Sequence, residues 1–323
     1  MVQKVKNKKS GIRIFAALLL MVGIAVFAYK SIITPGNNQI FEKEYDDKTL
    51  LNSLKIEPDS SVSISADQLN SPNAILIRLK DQATLMQKNS EEKIYPASLT
   101  KMMTAIVAIE NLPNLNEEIK LTNSTFQGLY GADASMAGLK PGEKVRAIDL
   151  LYGALLPSGA ECCIGLADQI AGSEQNFVKM MNQKAADLGM KNTHFENSTG
   201  LQNENHYTTV KDLSTLLTYA LKNDTFREIF TSSRHFTPPT NKHPNGITFY
   251  STTFKELNNQ NITHGEILGG KTGYTDEAGL CLASLAKVGK QEYILISAGA
   301  KGDHYTKQYN IDDALTVYDS IEK

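Results

Sequence analysis

The stretch Tyr95-Pro96-Ala97-Ser98-Leu99-Thr100-Lys101-Met102-Met103-Thr104-Ala105 decides how the rest of the chain is interpreted. From residue 98 to residue 110 apolar side chains recur at helical spacing nearly all round, which predicts a buried helix. A serine with a lysine three residues later places a hydroxyl and an amine on one helix face. Desolvation lowers the pKa of a buried ammonium group and leaves a neutral amine that can take the serine proton. The stretch therefore makes Ser98 a candidate nucleophile and Lys101 its candidate base.

The spacing alone is a weak signal, because the chain contains three other Ser-x-x-Lys pairs, at Ser90, Ser284 and Ser320. Of the four serines, Ser98 alone precedes a strongly apolar helix. The competing interpretation is that Ser98 is simply the N-cap of that helix.

Two further motifs follow along the chain. Ser158-Gly159-Ala160 lies between two predicted helices, and Gly270-Lys271-Thr272-Gly273 lies on a predicted strand. In the second of these motifs a lysine and a hydroxyl can bind a carboxylate. The flanking glycines have no side chains, so main-chain N–H groups can face a ligand. The local alternatives are a capping box formed by Ser158 with Glu161 and an exposed strand lysine at position 271.

Periodicity predicts an α+β fold. The predicted strands are residues 74–79, 83–87, 270–274, 280–287 and 293–298, and the predicted helices are 98–110, 147–155, 161–171, 174–188, 210–222 and 309–321. Strands at both chain ends with helices between them favour an antiparallel sheet built from both ends and packed on a helical lobe.

The composition is that of an ordinary globular protein, with 41% hydrophobic and 21% charged residues, which excludes a disordered or collagen-like chain. Five basic residues and no acidic residue occupy the first thirteen positions, which leaves 28 basic and 35 acidic residues in the remainder. A body that acidic has no broad surface for nucleic-acid phosphates.

A charge-free run from Ile14 to Tyr29 follows the basic residues, and this order predicts export across the membrane. Residues 12–33 are long enough to cross a hydrocarbon layer of about 30 Å. We expect an uncleaved anchor with the basic residues on the cytoplasmic side; cleavage after Val26-Phe27-Ala28 is the alternative. The predicted organisation is a basic stretch with anchor or signal (1–33), a linker (34–62) and an extracytoplasmic catalytic domain (63–323).

Other chemistries lack their motifs. The six histidines never form His-Glu-x-x-His, and the chain has neither a Gly-x-Ser-x-Gly elbow nor a phosphate-binding glycine loop. We therefore expect no metal and no cofactor. Cys162 and Cys163 are adjacent, which argues against a structural disulfide; small buried residues are predicted, with a reactive thiol as the alternative.

Together the three motifs resemble those of the serine penicillin-binding proteins, specifically the low-molecular-mass D-alanyl-D-alanine carboxypeptidases. The similarity extends over about residues 63 to 323 and includes Leu155 to Gly159, Phe195 to Leu201 with His206 and Asp212, and Gly270 to Gly279. It implies a penicillin-recognising fold, a substrate that is a peptidoglycan stem peptide ending in D-Ala-D-Ala, and acylation by β-lactam antibiotics.

The resemblance also implies a role for each motif residue. Ser98 is the nucleophile, Lys101 the general base, and Ser158 relays a proton towards the leaving amine. Lys271 and Thr272 hold the terminal carboxylate of the substrate. The backbone N–H groups of Ser98 and Tyr274 form the oxyanion hole.

One residue departs from the family pattern, because Ala160 stands where asparagine is usual. The missing amide helps to place the lysine and the substrate carbonyl. We expect Glu161, a bound water or another side chain to fill part of the vacated position. The alternatives to a carboxypeptidase are a β-lactamase and a catalytically silent peptidoglycan-binding relative; endopeptidase and transpeptidase activities also stay open.

Overall fold

A computed structural model describes residues 65–257 and 259–321. The predicted N-terminal segment (1–33) and linker (34–62) lie outside the described residues. Within the described part of the chain, none of the helices combines the length and the apolar character that a membrane crossing requires.

The strands and helices are numbered in chain order. The strands are β1 (Asn73–Arg78), β2 (Ala83–Lys88), β3 (Glu118–Lys120), β4 (Lys144–Arg146), β5 (Arg234–Phe236), β6 (Thr248–Tyr250), β7 (Asn261–Ile262), β8 (Gly265–Gly273), β9 (Leu280–Val288) and β10 (Gln291–Ala300). The helices are α1 (Thr100–Asn111), α2 (Ala147–Leu155), α3 (Ala160–Ala171), α4 (Glu174–Asp187), α5 (Val210–Ala220), α6 (Asp224–Phe230), α7 (Thr252–Glu256) and α8 (Tyr309–Asp319).

The main sheet has six antiparallel strands in the order β2-β1-β10-β9-β8-β7. Strand β1, from the start of the described chain, pairs with β10 from its end, with Asn73 opposite Ala298. The prediction of an α+β fold with a sheet built from both chain ends is confirmed. Alternate residues of β1 and β10 enter two cores: Ile75 and Ile294 face the helical lobe, whereas Leu76 and Leu295 pack with α8.

Helix α1 is the centre of the helical lobe and contacts α2, α3, α4, α5 and α6. Its residues from Thr100 to Ala108 are all buried, as the apolar spacing predicts. The lobe therefore surrounds the helix that follows the first motif, and the turn before that helix lies against β8 and β9.

Several short elements were not predicted, namely the two-stranded sheets β3–β4 and β5–β6, strand β7, and helices α6 and α7. Each strand of these two-stranded sheets has three residues, too few for a two-residue alternation to stand out from the surrounding loop. Each of these two-stranded sheets forms because a short strand pairs with a strand from a more distant part of the chain, as Glu118 pairs with Arg146.

Candidate active site

Ser98 lies in a 3₁₀ turn, Ala97–Leu99, directly before α1. The N-cap position of α1 belongs to Leu99, and no side chain caps this end of the helix. The hydroxyl of Ser98 instead accepts a hydrogen bond from Nζ of Lys101 at 2.9 Å. The interpretation of Ser98 as an N-cap is therefore wrong, and the hydroxyl faces its lysine as the spacing predicts.

Lys101 is 2% exposed and has two hydrogen-bond acceptors. Its Nζ donates to Ser98 Oγ and, at 2.5 Å, to the backbone carbonyl of Thr199. Burial lowers the pKa of Lys101, and the negative charge of Glu161 opposes that shift only in part. The site thus favours a neutral amine beside the serine hydroxyl, which is the state that a general base needs.

A second lysine–serine pair lies across the cleft. Nζ of Lys271, on β8, donates to Ser158 Oγ at 2.9 Å and to the carbonyl of Thr272 at 2.8 Å. Lys271 is fully buried, and desolvation, together with the positive charge of Lys101, holds its pKa well below the usual value. The two local alternatives are wrong: Lys271 is not exposed, and the Ser158 hydroxyl faces this lysine, while Gly159 occupies the N-cap of α3 without a side-chain cap.

Both hydrogen bonds of Lys271 are made to groups of the protein itself. Its ammonium group is directed at Ser158 rather than at open space in the cleft. The hydroxyl of Thr272, which lines the cleft, is 2.6 Å from that of Thr252 on α7. That Lys271 and Thr272 hold the terminal carboxylate of a substrate stays a prediction.

The end of β8 approaches Ser98 closely. A Cβ atom on Gly273 would be 3.1 Å from the backbone nitrogen of Ser98, so the absence of a side chain at this position allows the close approach. Tyr274 follows directly, and Ser98, Thr272 and Tyr274 line one cavity with Ser158. All six predicted site residues therefore meet in one place, while their individual roles stay predictions.

The segment from Phe195 to Leu201 forms a further wall of the site. Its Thr199 carbonyl holds Lys101, and its Ser198 carbonyl accepts a hydrogen bond from Thr104 Oγ1 at 2.6 Å. Both acceptors are backbone carbonyl oxygens, which every residue type has, so the sequence does not reveal these contacts. These two hydrogen bonds anchor the segment on the beginning of α1, at Lys101 and at Thr104.

His206 explains why that segment stays against α1. Its Nδ1 accepts the backbone N–H of Glu196 at 3.2 Å, so its Nε2 carries the proton and donates to Thr100 Oγ1 at 2.8 Å. Burial lowers the pKa of His206 to about 4, which keeps the ring neutral. His206 is thus a structural link between the wall and the helix of the nucleophile.

Gly200 gives a sharp test of that wall. It has φ +82°, and a Cβ there would be 1.9 Å from the carbonyl oxygen of Ala97. Gly200→Ala is expected to cut penicillin acylation more than tenfold, because the clash displaces the residue before Ser98. The matched control is Gly172→Ala, at φ +73° with nothing within 4 Å, which meets only backbone strain. Equal acylation rates in the two variants, measured with labelled penicillin, would contradict the close approach.

The open rim of the site is acidic. The exposed carboxylates that line its cavities are those of Asp133, Glu256, Asp276 and Glu277. None of these carboxylates donates to or accepts from Ser98 or Lys101 within the described residues. The charged group that the hydroxyl of Ser98 contacts directly is the amine of Lys101.

The cysteines are buried, as predicted for Cys162 and Cys163, and all three are free thiols. Desolvation raises the pKa of Cys163 and of Cys281 to about 12 and that of Cys162 well above its usual value. Thiols held in that state are unreactive. Within residues 65–257 and 259–321 no group of three or more His, Cys, Asp or Glu side chains could hold a metal ion.

Solved structures share this fold. The DD-transpeptidase of Streptomyces K15 superposes with a TM-score of 0.71 at 25% identity, covering 80% of this chain and 98% of that one. A D-alanyl-D-alanine carboxypeptidase from Mycobacterium tuberculosis H37Rv gives 0.70 at 26% identity, covering 82% and 95%. The sheet, the lobe and the two lysine–serine pairs define the penicillin-recognising serine peptidase class.

Within that class the family is specific. Residues 60–302 match the family described as Peptidase_S11, D-alanyl-D-alanine carboxypeptidase, and the chain belongs to that family. It is 34% identical over 232 residues to D-alanyl-D-alanine carboxypeptidase DacF of Bacillus subtilis, a match that covers 71% of this chain. The chain spans 57% of the length of that relative and 62% of DacC of Escherichia coli.

Proposed function

We propose that this protein hydrolyses the terminal D-Ala–D-Ala peptide bond of peptidoglycan stem peptides through a serine acyl-enzyme. The observation that carries the proposal is the 2.9 Å contact between the Ser98 hydroxyl and the buried amine of Lys101. A neutral amine at hydrogen-bond distance from a hydroxyl is the arrangement that activates a serine without a histidine. Membership of the D-alanyl-D-alanine carboxypeptidase family supports the substrate.

The reaction proceeds in two balanced steps. Lys101 Nζ takes the proton of Ser98 Oγ while that oxygen bonds to the carbonyl carbon of the penultimate D-Ala. The carbon–nitrogen bond then breaks, and the proton held by Lys101 reaches the leaving amine through Ser158, whose hydroxyl contacts Lys271. In the second step Lys101 takes a proton from water while the water oxygen bonds to the ester carbon. The ester carbon–oxygen bond then breaks, the shortened peptide leaves as a carboxylic acid, and the proton returns to Ser98 Oγ.

Backbone N–H groups of Ser98 and Tyr274 are proposed to bind the oxyanion. Ser98 lies in the turn before α1, where N–H groups without intrahelical partners point outwards. The hydroxyl pair of Thr272 and Thr252 is placed to bind the terminal carboxylate of the substrate. A penicillin presents the same carbonyl and carboxylate, so it acylates the same serine.

The β-lactamase alternative is disfavoured by the placement of carboxylates. Fast deacylation by such an enzyme needs a carboxylate that activates water beside the ester. Glu161 is buried close to the site, but its Oε1 is bound to the backbone N–H groups of residues 137–139. An endopeptidase of Pseudomonas aeruginosa is 30% identical to this chain, which makes cross-linked peptides a second substrate to measure.

The test uses the full chain in detergent with a pentapeptide that ends in D-Ala-D-Ala. We expect release of free D-Ala, no release from a control that ends in L-Ala-L-Ala, and slow turnover of bound penicillin. A cross-linked muropeptide dimer measures the endopeptidase contribution. Absence of D-Ala release together with purely reversible penicillin binding would favour the silent relative.

We also propose that residues 14–33 anchor the protein in the cell membrane with the catalytic domain outside the cytoplasm. The support is the order of five basic residues followed by a charge-free apolar run. The protein is expected to sediment with membranes and to retain its first residues, whereas a variant that starts at residue 34 stays in the supernatant. A mature N-terminus near Tyr29 would show instead that a signal peptide is removed.

A further inference from the structure

We propose that the hydroxyl of Ser135 supplies the hydrogen bond in the cleft that an asparagine amide supplies in relatives with a complete Ser-x-Asn motif. This inference rests on the proposed function, since it concerns how that site places its substrate. It makes Ser135 a catalytic residue of this chain, a position for which no motif gave a signal.

The first observation is that Ala160 brings no polar side chain to the cleft. Ala160 lines the same cavity as Ser98, Lys101 and Thr199. Its methyl group neither donates nor accepts a hydrogen bond. The substrate carbonyl region beside Lys101 therefore lacks a polar side chain from this position.

The second observation is that Ser135 lies directly against residue 160. Its carbonyl oxygen accepts the backbone N–H of Ala160 at 2.8 Å, which holds the two residues side by side. Ser135 lines the cavity that contains Ser158 and Thr272, and also the cavity that contains Lys101. It thus stands between the two lysine–serine pairs.

The hydroxyl of Ser135 is free to bind a ligand. It is exposed and makes no hydrogen bond to any of the described residues. Two neighbours in the cavity that contains Lys101 are engaged elsewhere: Thr199 Oγ1 donates to Asn197, and the amide oxygen of Gln202 accepts from Thr275. A serine hydroxyl both donates and accepts, as the two halves of an amide do together.

Glu161 fixes the loop that carries Ser135. Its Oε1 accepts the backbone N–H groups of Ala137, Gly138 and Leu139 at 2.8, 3.0 and 3.3 Å. The loop also packs on Gly159, where a Cβ would be 2.6 Å from that of Ala137. Of the candidates expected to fill the position, Glu161 is therefore turned away from the cleft and acts as a positioning residue for Ser135.

The test is a double-mutant cycle on the full chain, with Ser135→Ala, Ala160→Asn and the double variant. Acylation by labelled penicillin and release of D-Ala are measured for each. Ser135→Ala alone is expected to lower both rates roughly 5–50-fold, the effect of one good hydrogen bond to a polarised carbonyl. Ala160→Asn alone changes them by no more than about tenfold. In the Ala160→Asn background Ser135→Ala should cost less than about threefold, because the amide then takes over.

The matched control is Ser124→Ala, an exposed serine in the same connection between helices α1 and α2 that lines neither cavity. It should leave both rates unchanged. Equal losses from Ser135→Ala in both backgrounds, or no loss in the wild-type background, would overturn the proposal. Failure of the proposed function is seen separately, because the unmodified protein would then release no D-Ala.

The positioning role of Glu161 has its own readout. Glu161→Ala should lower acylation about as much as Ser135→Ala, and combining the two should add little. Glu161→Gln keeps an acceptor oxygen for the three N–H groups and should restore most of the rate. A Glu161→Gln variant as impaired as Glu161→Ala, with an unchanged unfolding midpoint, would contradict the positioning role.

Discussion

Replacing Ser98 with alanine is expected to abolish covalent labelling by penicillin and to lower D-Ala release by more than about 10³-fold. The change removes the oxygen that forms the ester, while Lys101 and the rest of the cleft stay in place. Mass spectrometry of the labelled wild-type protein should locate the adduct on the peptide that contains Ser98.

The other Ser-x-x-Lys pairs give matched controls for this prediction. Ser90 donates to Gln87 at 3.0 Å, and Ser284 is buried beside the hydroxyl of Tyr318 at 2.9 Å. Ser90→Ala and Ser284→Ala should both keep the label, although loss of the buried contact lowers the stability of the second variant by about 1 kcal/mol. Label on any serine other than Ser98 would refute the assignment.

Replacing Lys101 with alanine is expected to lower the acylation rate by about 10²–10⁴-fold, the usual contribution of a general base. Because burial lowers the pKa of Lys101, its neutral, active form persists at lower pH than for a free lysine. The acylation rate of the wild-type protein should fall as the pH drops through that lowered pKa. The residual rate of Lys101→Ala should not show this pH dependence. Lys101→Arg, whose guanidinium stays charged, should be as inactive as the alanine variant.

Unfolding measurements show whether Lys101→Ala is folded. Since the folded-state pKa of Lys101 is below that of the unfolded chain, the unfolded state binds more protons between the two values. The contribution of Lys101 to the free energy of unfolding therefore rises with pH across that interval. Lys101→Ala should unfold cooperatively and lack this part of the pH dependence. A variant that acylates at the wild-type rate would show that another group is the base.

Long, strongly patterned elements were predictable from the sequence. Helix α2 has the predicted bounds, and α1, α3, α4 and strands β1, β2, β9 and β10 lie within two residues of theirs. The apolar period of these segments is set by burial against one another, so the pattern and the fold have the same cause. The pairing of β1 with β10 was predictable for a similar reason, because an apolar strand near each end needs a partner.

The proximity of Ser98 and Lys101 was also predictable, because side chains three residues apart on a helix lie on one face. Position 161 shows where such local reasoning ends. Ser158 and Glu161 fit a capping box by spacing, yet Ser158 has φ +69° and faces Lys271, more than a hundred residues away. The carboxylate of Glu161 is bound by a loop about twenty residues earlier in the chain. Long-range contacts outweighed the local preference.

The sequence by itself determined the long elements, the sheet built from both chain ends, and the presence of Ser98 and Lys101 one helical turn apart. The tertiary structure decided which groups from loops lie beside these residues. The Thr199 carbonyl that holds Lys101 and the Ser135 hydroxyl beside Ala160 come from loops with no periodic pattern. A loop is positioned by hydrogen bonds to distant residues rather than by its own side-chain spacing, so its contribution to a site appears only when the chain is folded.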